Sequence, residues 1–355
     1  MLHRVDAATP RHAASGRFRP AVAWVAVAVA LAAWAAFATR RPQALVVYCA
    51  HDIGLAEPIL DAFAARTGIE LQVVYDTEAT KTLGLVERVV AEQGAPRADV
   101  LWCNEPLGVM RLHELGLLQP YRGAGFARIP DAWKEAGAHW VGFAARLRVW
   151  ITPADRPART AAELDSWLTA QLEAGDLARF AIAVPLYGTT RFHVTALWAL
   201  RGDAWLRAWL RDLRLRGARF VRGNAAVKDL VAAGAADAGW TDTDDAAAAG
   251  TAAHATPVEV DGFTLCIPNT VAIVRGARHE AAARALVDHL LSSETELSLA
   301  RGRGQQIPLG QVDDADMPEP VQRLRAAAKR ALPLERVRGA HARVLAWLRE
   351  EWLDR

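Results

Sequence analysis

From Leu45 onward, short apolar segments alternate with amphipathic segments of helical period, and this alternation limits the fold more than any other feature of the sequence. It predicts strands at 45–48, 69–75 and 98–102, with helices at 56–67 and 80–92 between them. Gly68 directly follows the first helix and predicts a left-handed end there. Alternating strands and helices predict α/β layers around a mostly parallel sheet.

A second unit of the same kind follows Ile151. Its strands are predicted at 180–184, 219–221 and 236–241, and Thr160 with Glu163 predicts a capping box before its first helix. A strand at 264–274 and a helix at 279–291 come next, and the charged, Ala-rich tail 311–355 contains one amphipathic helix at 340–352. A chain of 355 residues with this pattern predicts two lobes, because one core rarely serves so many residues.

The amino terminus has the pattern of an export signal. Four arginines among the first 19 residues precede an uncharged apolar run at 21–38. Ala36 and Ala38 have the spacing that a signal peptidase accepts. An uncleaved anchor is the alternative, because a run of 18 residues reaches the lower limit for spanning a bilayer. Residues 1–42 are therefore interpreted as the signal peptide or membrane anchor of a periplasmic or otherwise extracytoplasmic protein.

Charge and motif content argue against two broad classes of function. The 42 basic and 40 acidic residues are mixed along the whole chain, so no basic stripe is available for a nucleic acid. The sequence contains no G-x-S-x-G elbow, H-E-x-x-H, P-loop or C-x-x-C pair, so no enzyme is predicted. A metal-dependent hydrolase, built on carboxylates near a histidine, is the enzymatic alternative.

Polar residues follow five of the predicted strands, which is where open α/β sheets bind their ligands. They occupy positions 49–52, 103–105, 187–190, 223–224 and 241–245. All of these positions except 187–190 lie within eight segments of the chain, which are VVYCAHD, EPILDAFAARTGIELQVVYD, RADVLWCNEP, GLLQPY, WVGFAARLRVWI, GNAAVKDLVAAGAADAGWTDTDDA, IPNTVAIVRGARHEAAARALVDHLLS and QQIPL. In this order the segments resemble the periplasmic ferric-iron-binding proteins, a group of extracellular solute-binding proteins.

The resemblance spans roughly residues 44–310 and implies a two-lobed Venus-flytrap fold of type II with a ligand cleft between the lobes. It implies lobe I at 44–146 with a return segment at 268–310, lobe II at 147–267, and a helical tail at 311–355. Such a protein is a monomer that delivers its cargo to an ABC-transporter permease and ATPase. Iron or another metal ion is the implied cargo, with a synergistic anion and no organic cofactor.

The implied metal ligands are only partly present. His51 and Glu105 match two of the family's ligands, whereas Asp244 and Asp245 occupy the positions of its tyrosine pair. Aspartates bind ferric iron more weakly than phenolates do, so this pair suits a divalent cation, a hydrated iron or an organic ammonium group. A small organic cation or zwitterion, such as an amine or an aminophosphonate, is therefore the alternative cargo.

The resemblance also implies a set of residues that contact an anion or the rest of the ligand. They are Gly188, Thr189, Thr190, Asn224, Arg146 and Asp242. A helix beginning at Gly188-Thr189-Thr190 offers free N–H groups to the anion. Each residue also has a plain structural reading: Asp242 or Asp244 as a helix cap, Asn224 as another, His51 as a loop residue and Arg146 in an ion pair.

The three cysteines allow at most one disulfide within the chain. Cys49 and Cys103 follow strands that are expected to be neighbours, so a disulfide, a pair of soft metal ligands and simple apolar packing are all compatible with their positions. Cys266 lies within an apolar strand and is predicted to be buried.

Overall fold

The computed structural model describes residues 44–76 and 83–352. The strands are β1 (Leu45–Cys49), β2 (Leu71–Tyr75), β3 (Val100–Cys103), β4 (Leu118–Gln119), β5 (Val141–Pro153), β6 (Phe180–Ala183), β7 (Arg219–Val221), β8 (Ala238–Asp242), β9 (Ala253–Pro257), β10 (Glu259–Val260), β11 (Phe263–Thr264) and β12 (Cys266–Val274).

The helices are α1 (Ile53–Thr67), α2 (Leu83–Ala91), α3 (Pro106–Glu114), α4 (Ala161–Ala174), α5 (Gly188–Arg201), α6 (Asp203–Leu215), α7 (Asn224–Ala232), α8 (Thr243–Ala249), α9 (Glu280–Leu290), α10 (Ser293–Arg301), α11 (Glu319–Ala328), α12 (Leu334–Arg338) and α13 (His341–Trp352). The predicted signal or anchor at 1–42 and the start of the helix predicted at 80–92 lie outside the described residues.

Ten strands form one sheet, in the order β2-β1-β3-β12-β5-β8-β6-β7, with β4 beside β12 and β9 beside β5. At one end, β1 pairs in parallel with β2 and β3, so Val47 lies between Val73 and Val100. At the other end, β6 pairs in parallel with β7 and β8. Each end is therefore a parallel three-stranded unit, as the alternating sequence predicts.

The centre of the sheet differs from the mostly parallel arrangement that the sequence predicts. Strands β5 and β12 are antiparallel to each other and to their neighbours. All 13 residues of β5 are buried; its first half pairs with β12 and its second half with β8 and β9. A single strand thus belongs to both halves of the sheet, and its pairing partner changes from β12 to β8 between Leu147 and Arg148.

Local signals in the sequence correspond to observed helix ends. Thr160 and Glu163 form a reciprocal capping box at the start of α4. Gly68 ends α1 in the left-handed conformation, with φ 69°. The C-terminal helix α13 packs against α5, and the ring centres of Trp198 and Trp347 are 5.8 Å apart. Among the described residues, no helix has the length and apolar character needed to cross a membrane.

Candidate ligand site

A cavity of about 410 Å³ opens between the two parallel ends of the sheet. Its wall includes the first residues of four helices, α1, α5, α7 and α8. Each of these helices follows a strand or a short loop at the carboxyl end of a strand, so the fold itself brings their N-termini together. The size suits a small molecule.

The helices α1, α5 and α7 begin at the cavity without a side-chain cap. Their N-cap residues are Asp52, Tyr187 and Gly223, and none of the three makes a side-chain hydrogen bond to the first turn. Helices α3, α4 and α10 are capped by a side chain, whereas α6, α9, α11 and α12 begin away from the cavity without such a cap. Uncapped first-turn N–H groups and the positive end of the helix dipole attract anions.

Gly188 starts α5 with φ 52°, a conformation that glycine adopts without strain. A Cβ atom here would stand 4.0 Å from the Asn104 amide nitrogen, so backbone conformation rather than space requires glycine. Together with Thr189 and Thr190, which also line the cavity, Gly188 forms the predicted anion-binding helix start.

A buried network at the cavity wall links α5, α7 and β8 to β5. Arg148 Nη1 donates to Asp242 Oδ1 at 2.7 Å and to Asn224 Oδ1 at 3.0 Å. The Asn224 amide donates to Asp242 Oδ2 at 2.8 Å, and the Thr189 hydroxyl donates to the same oxygen. The side chains of Thr189, Asn224 and Asp242 are thus occupied with each other, which leaves the backbone N–H groups of the helix starts for a ligand.

A second buried ion pair lies beside this network. Arg146 Nε is 3.0 Å from Asp244 Oδ2, and Arg146 also donates to the Asn104 carbonyl at 2.6 Å and to Asn269 Oδ1 at 2.7 Å. Of the two roles considered for Arg146, a contact with a ligand anion and an ion pair within the protein, the structure shows the ion pair. Its partner is a residue that the sequence assigns to a metal.

Asp245 is the most exposed of the three neighbouring aspartates. Its carboxylate accepts a hydrogen bond of 3.3 Å from the Thr241 hydroxyl. Carboxylate oxygens of Asp242, Asp244 and Asp245 lie within 4.8 Å of one another, which is close enough for a shared cation. Arg148 and Arg146 already neutralise two of the three charges.

The charged residues of the cavity wall are balanced between the two signs. The acidic residues are Asp52, Asp242, Asp244 and Asp245, and the basic residues are Arg146, Arg222, Lys228 and Arg303. Arg222 and Arg303 are exposed and, within the described ranges, form no ion pair with a carboxylate. The Arg303 guanidinium covers Gly54 at the start of α1, where a Cβ atom would collide with it at 1.7 Å.

Glu105 does not line the cavity. Its side chain is fully buried, accepts hydrogen bonds from the N–H groups of Leu107 at 2.6 Å and Gly108 at 3.1 Å, and pairs with Arg191 at 2.7 Å. Glu105 is thus the cap of α3. The structure does not bring it together with Asp244 and Asp245 as the predicted metal set requires.

His51 is buried behind the cavity wall. Its Nε2 atom lies 3.1 Å from the Gln306 amide, and its ring centre is 5.3 Å from that of Trp102. Of the four predicted metal ligands, the structure places Asp244 and Asp245 at the cavity, His51 next to it and Glu105 away from it.

The three cysteines are free and buried, and none lies in the cavity wall, so apolar packing is the alternative that the structure shows for Cys49 and Cys103. Burial raises the pKa of the Cys49 and Cys266 thiols to about 12, and it raises that of Cys103 well above its usual value. These thiols are therefore protonated and inert near neutral pH.

Four charged residues of the cavity wall were not among the predicted ligand and metal residues: Asp52, Arg222, Lys228 and Arg303. Asp52 directly precedes α1, and Arg222 directly precedes the Gly-Asn start of α7. Asp52 belongs to the polar positions 49–52 that follow a predicted strand, and Arg222, which directly follows β7, could have been identified by the same rule. Arg303 lies after α10, and only the tertiary fold brings it to the cavity.

Comparison with known proteins finds one matching family model and several solved structures of similar fold. A family model described as a bacterial extracellular solute-binding protein matches residues 45–301. The chain is similar to iron-bound HitA from Pseudomonas aeruginosa, with 19% identity and a TM-score of 0.73 over 87% of this chain and 99% of that chain. It is also similar to the ferric binding protein from Campylobacter jejuni, with 15% identity and a TM-score of 0.74 over 86% and 98% of the two chains.

A third solved structure has a different bound molecule. The periplasmic binding protein AfuA from Actinobacillus pleuropneumoniae, determined with exogenous fructose-6-phosphate, has 17% identity and a TM-score of 0.68 over 87% of this chain and 98% of that chain. At these identities the likeness is one of fold. The predicted two-lobed α/β binding-protein fold, and the resemblance on which it rested, are confirmed.

Proposed function

The chain belongs to the bacterial extracellular solute-binding proteins, and we propose that its cargo is a small zwitterion bearing a phosphate, phosphonate or carboxylate group. The proposed partners are the permease and ATPase of an ABC importer. We propose that residues 1–42 export the chain or anchor it outside the cytoplasm.

The observation that carries this proposal is the meeting of three uncapped helix N-termini at one cavity. Helices α1, α5 and α7 supply backbone donors and positive dipole ends, and Arg222 and Arg303 add two positive charges at the rim. An anionic group bound there accepts hydrogen bonds from several backbone N–H groups at once. The protein side chains at the site keep their own hydrogen-bond partners.

The aspartates of the cavity wall favour a positively charged group on the cargo. Asp245 contributes a negative charge to the wall, and its carboxylate accepts a hydrogen bond from the Thr241 hydroxyl. The balance of four acidic and four basic residues favours a ligand with both signs over a simple anion or cation. An ammonium group beside Asp245 and an anionic group at α5 and α7 match this distribution.

We propose that the protein closes around its cargo between lobe I, at 44–146 and 268–310, and lobe II, at 147–267. The two parallel ends of the sheet fall within these ranges, and β5 and β12 connect them. Rotation about these two strands brings α1 and Arg303 toward α5 and α7.

Thermal unfolding with matched compounds tests the proposal. The panel comprises 2-aminoethylphosphonate, ethylphosphonate, inorganic phosphate, an amino acid and ferric citrate, and native mass spectrometry of unstripped protein identifies any bound cargo. We expect 2-aminoethylphosphonate to raise the melting temperature more than ethylphosphonate does, because only the former carries an amine. The absence of stabilisation by every phosphate, phosphonate and carboxylate compound would refute the anionic group.

A metal ion is the second candidate, favoured by the three aspartates with oxygens within 4.8 Å. Its test is titration of the wild type and the Asp244→Asn/Asp245→Asn variant with ferric citrate. Loss of iron binding in the variant, together with no response to the phosphonates, would favour the metal. Unchanged iron binding would place any bound iron elsewhere on the protein.

A further inference from the structure

We propose that His113, Glu135 and His139 form a binding site for a divalent transition-metal ion, zinc first, that is separate from the cargo cavity. His113 lies in the last turn of α3, and the other two lie in the loop that leads into β5. None of them lines the cavity, so the site is independent of the proposed cargo.

Donor atoms of the three side chains lie within 4.8 Å of one another. His139 Nδ1 is 2.8 Å from Glu135 Oε2, and His113 Nε2 is 4.0 Å from Glu135 Oε1. Ligand atoms around a tetrahedral zinc ion with bonds near 2.0–2.1 Å stand about 3.3 Å apart. The 4.8 Å limit exceeds this separation by about 1.5 Å, so that is the largest approach that any two of the donors need.

Glu135 is held in place by the loop that it begins. Its carboxylate accepts N–H groups from Gly137 at 2.8 Å and from His139 at 3.1 Å. The loop is closed by backbone hydrogen bonds from Glu135 to Trp140 and from Ala138 to Glu135, and Ala138 adopts φ 65°. One carboxylate thus fixes the loop and positions His139 toward α3, which is the kind of support that metal ligands receive.

The His113 ring has unused hydrogen-bonding capacity. Its Nδ1 atom is buried and has no hydrogen-bond partner in the described part of the chain, and its Nε2 atom stops 4.0 Å from Glu135. The ring centres of His113 and His139 are 4.5 Å apart. A cation between the imidazoles and the carboxylate gives the Nε2 atom of His113 a partner.

The protonation states suit metal binding. Burial lowers the pKa of His113. Burial raises the pKa of the Glu135 carboxyl, but hydrogen bonds from the Gly137 and His139 amides, together with the neighbouring imidazoles, outweigh this effect and lower the pKa to about 2. Two imidazoles and one carboxylate are a donor set that zinc accepts, with a fourth position for water. The side chains are 15–24% exposed, so an ion reaches them from solvent.

Isothermal titration of the untagged full-length protein with zinc chloride alone tests this site. We expect wild type to bind one zinc ion here, and His113→Ala and His139→Ala each to weaken that binding by about tenfold or more. Thermal unfolding without zinc shows whether each variant is folded, and Glu135→Gln removes the charge with little change in shape. Zinc raises the melting temperature of wild type but not of the variants.

Two matched variants separate this site from other zinc binding. His254→Ala removes a histidine of another segment, and Asp244→Asn/Asp245→Asn removes the aspartate pair of the cavity; both should keep the zinc site. The proposal is overturned if wild type binds no zinc in the micromolar range. It is also overturned if the folded double variant His113→Ala/His139→Ala binds zinc as wild type does.

Discussion

Arg146 Nε lies 3.0 Å from Asp244 Oδ2 at the cavity wall, and both side chains are at least nine-tenths buried. Arg146 comes from β5, the strand shared by both halves of the sheet, and Asp244 comes from the first turn of α8. The pair therefore joins the sheet centre to a helix that lines the cavity.

Arg146→Met should lower the free energy of unfolding by about 3–5 kcal/mol, because it removes a buried positive charge that pairs with the Asp244 carboxylate. Urea denaturation measures the loss. The control is Arg323→Met, which breaks an ion pair with Glu319 whose two side chains are 65% and 80% exposed; it should cost less than about 1 kcal/mol. Equal effects of the two substitutions would contradict the structural role of Arg146.

Glu105→Gln should lower stability by about 3 kcal/mol, because Arg191 loses its buried partner. Its effect on cargo affinity should be small, since Glu105 does not line the cavity. Removing the other charge as well, in Glu105→Gln/Arg191→Met, should recover part of the stability. A large loss of cargo affinity in a folded Glu105→Gln protein would restore this residue as a ligand.

Arg222→Gln should weaken binding of the tightest compound of the panel by about tenfold, or about 1.4 kcal/mol, because it removes a positive charge beside the uncapped start of α7. The salt dependence of the affinity should fall as well. Titration calorimetry at two salt concentrations measures both effects. Arg211, which lies outside the cavity wall, provides the control substitution Arg211→Gln, and an identical loss there would reject a local contact.

His193 predicts a pH dependence of stability. Its ring is fully buried against Trp240, and burial, with Arg148 nearby, lowers its pKa well below the usual value. In the unfolded chain His193 binds a proton near pH 6.5, whereas in the folded chain it stays neutral at that pH. Stability therefore falls as the pH decreases. From pH 7.5 to 5.5 this one group lowers the free energy of unfolding by about 1 kcal/mol.

His193→Phe should remove that part of the loss, as measured by urea denaturation at the two pH values. Phe192→Leu, a change of a buried neighbour that does not titrate, should lower stability equally at both. If wild type and His193→Phe lose the same stability on acidification, His193 is protonated in the folded state.

The sequence predicted most elements because their signals are local. The strand predicted at 219–221 has the observed bounds, and the capping box of Thr160 and Glu163 depends on residues three apart. The antiparallel centre was not predicted, because an apolar run such as β5 does not reveal the direction of its neighbours.

The site was predicted only in part, because burial of charge depends on distant partners. Glu105 follows a strand, as a ligand would, but Arg191, 86 positions further along, turns it into a buried structural group. Arg146 and Asp244 were assigned to separate roles and instead neutralise each other. The sequence analysis did not identify His113, Glu135 and His139, since no spacing rule relates a helix end to a loop more than twenty residues later.

The uncapped starts of α1, α5 and α7 affect how ligand binding depends on the pH of the surrounding medium. Peptide N–H groups do not titrate in the range where histidines and carboxylates gain or lose protons, and arginine stays charged there too. A binding protein that relies on such donors in an unbuffered medium therefore keeps its affinity for an anionic group at acid and at alkaline pH. Any variation of capture with acidity would then come from the ionisation of the cargo.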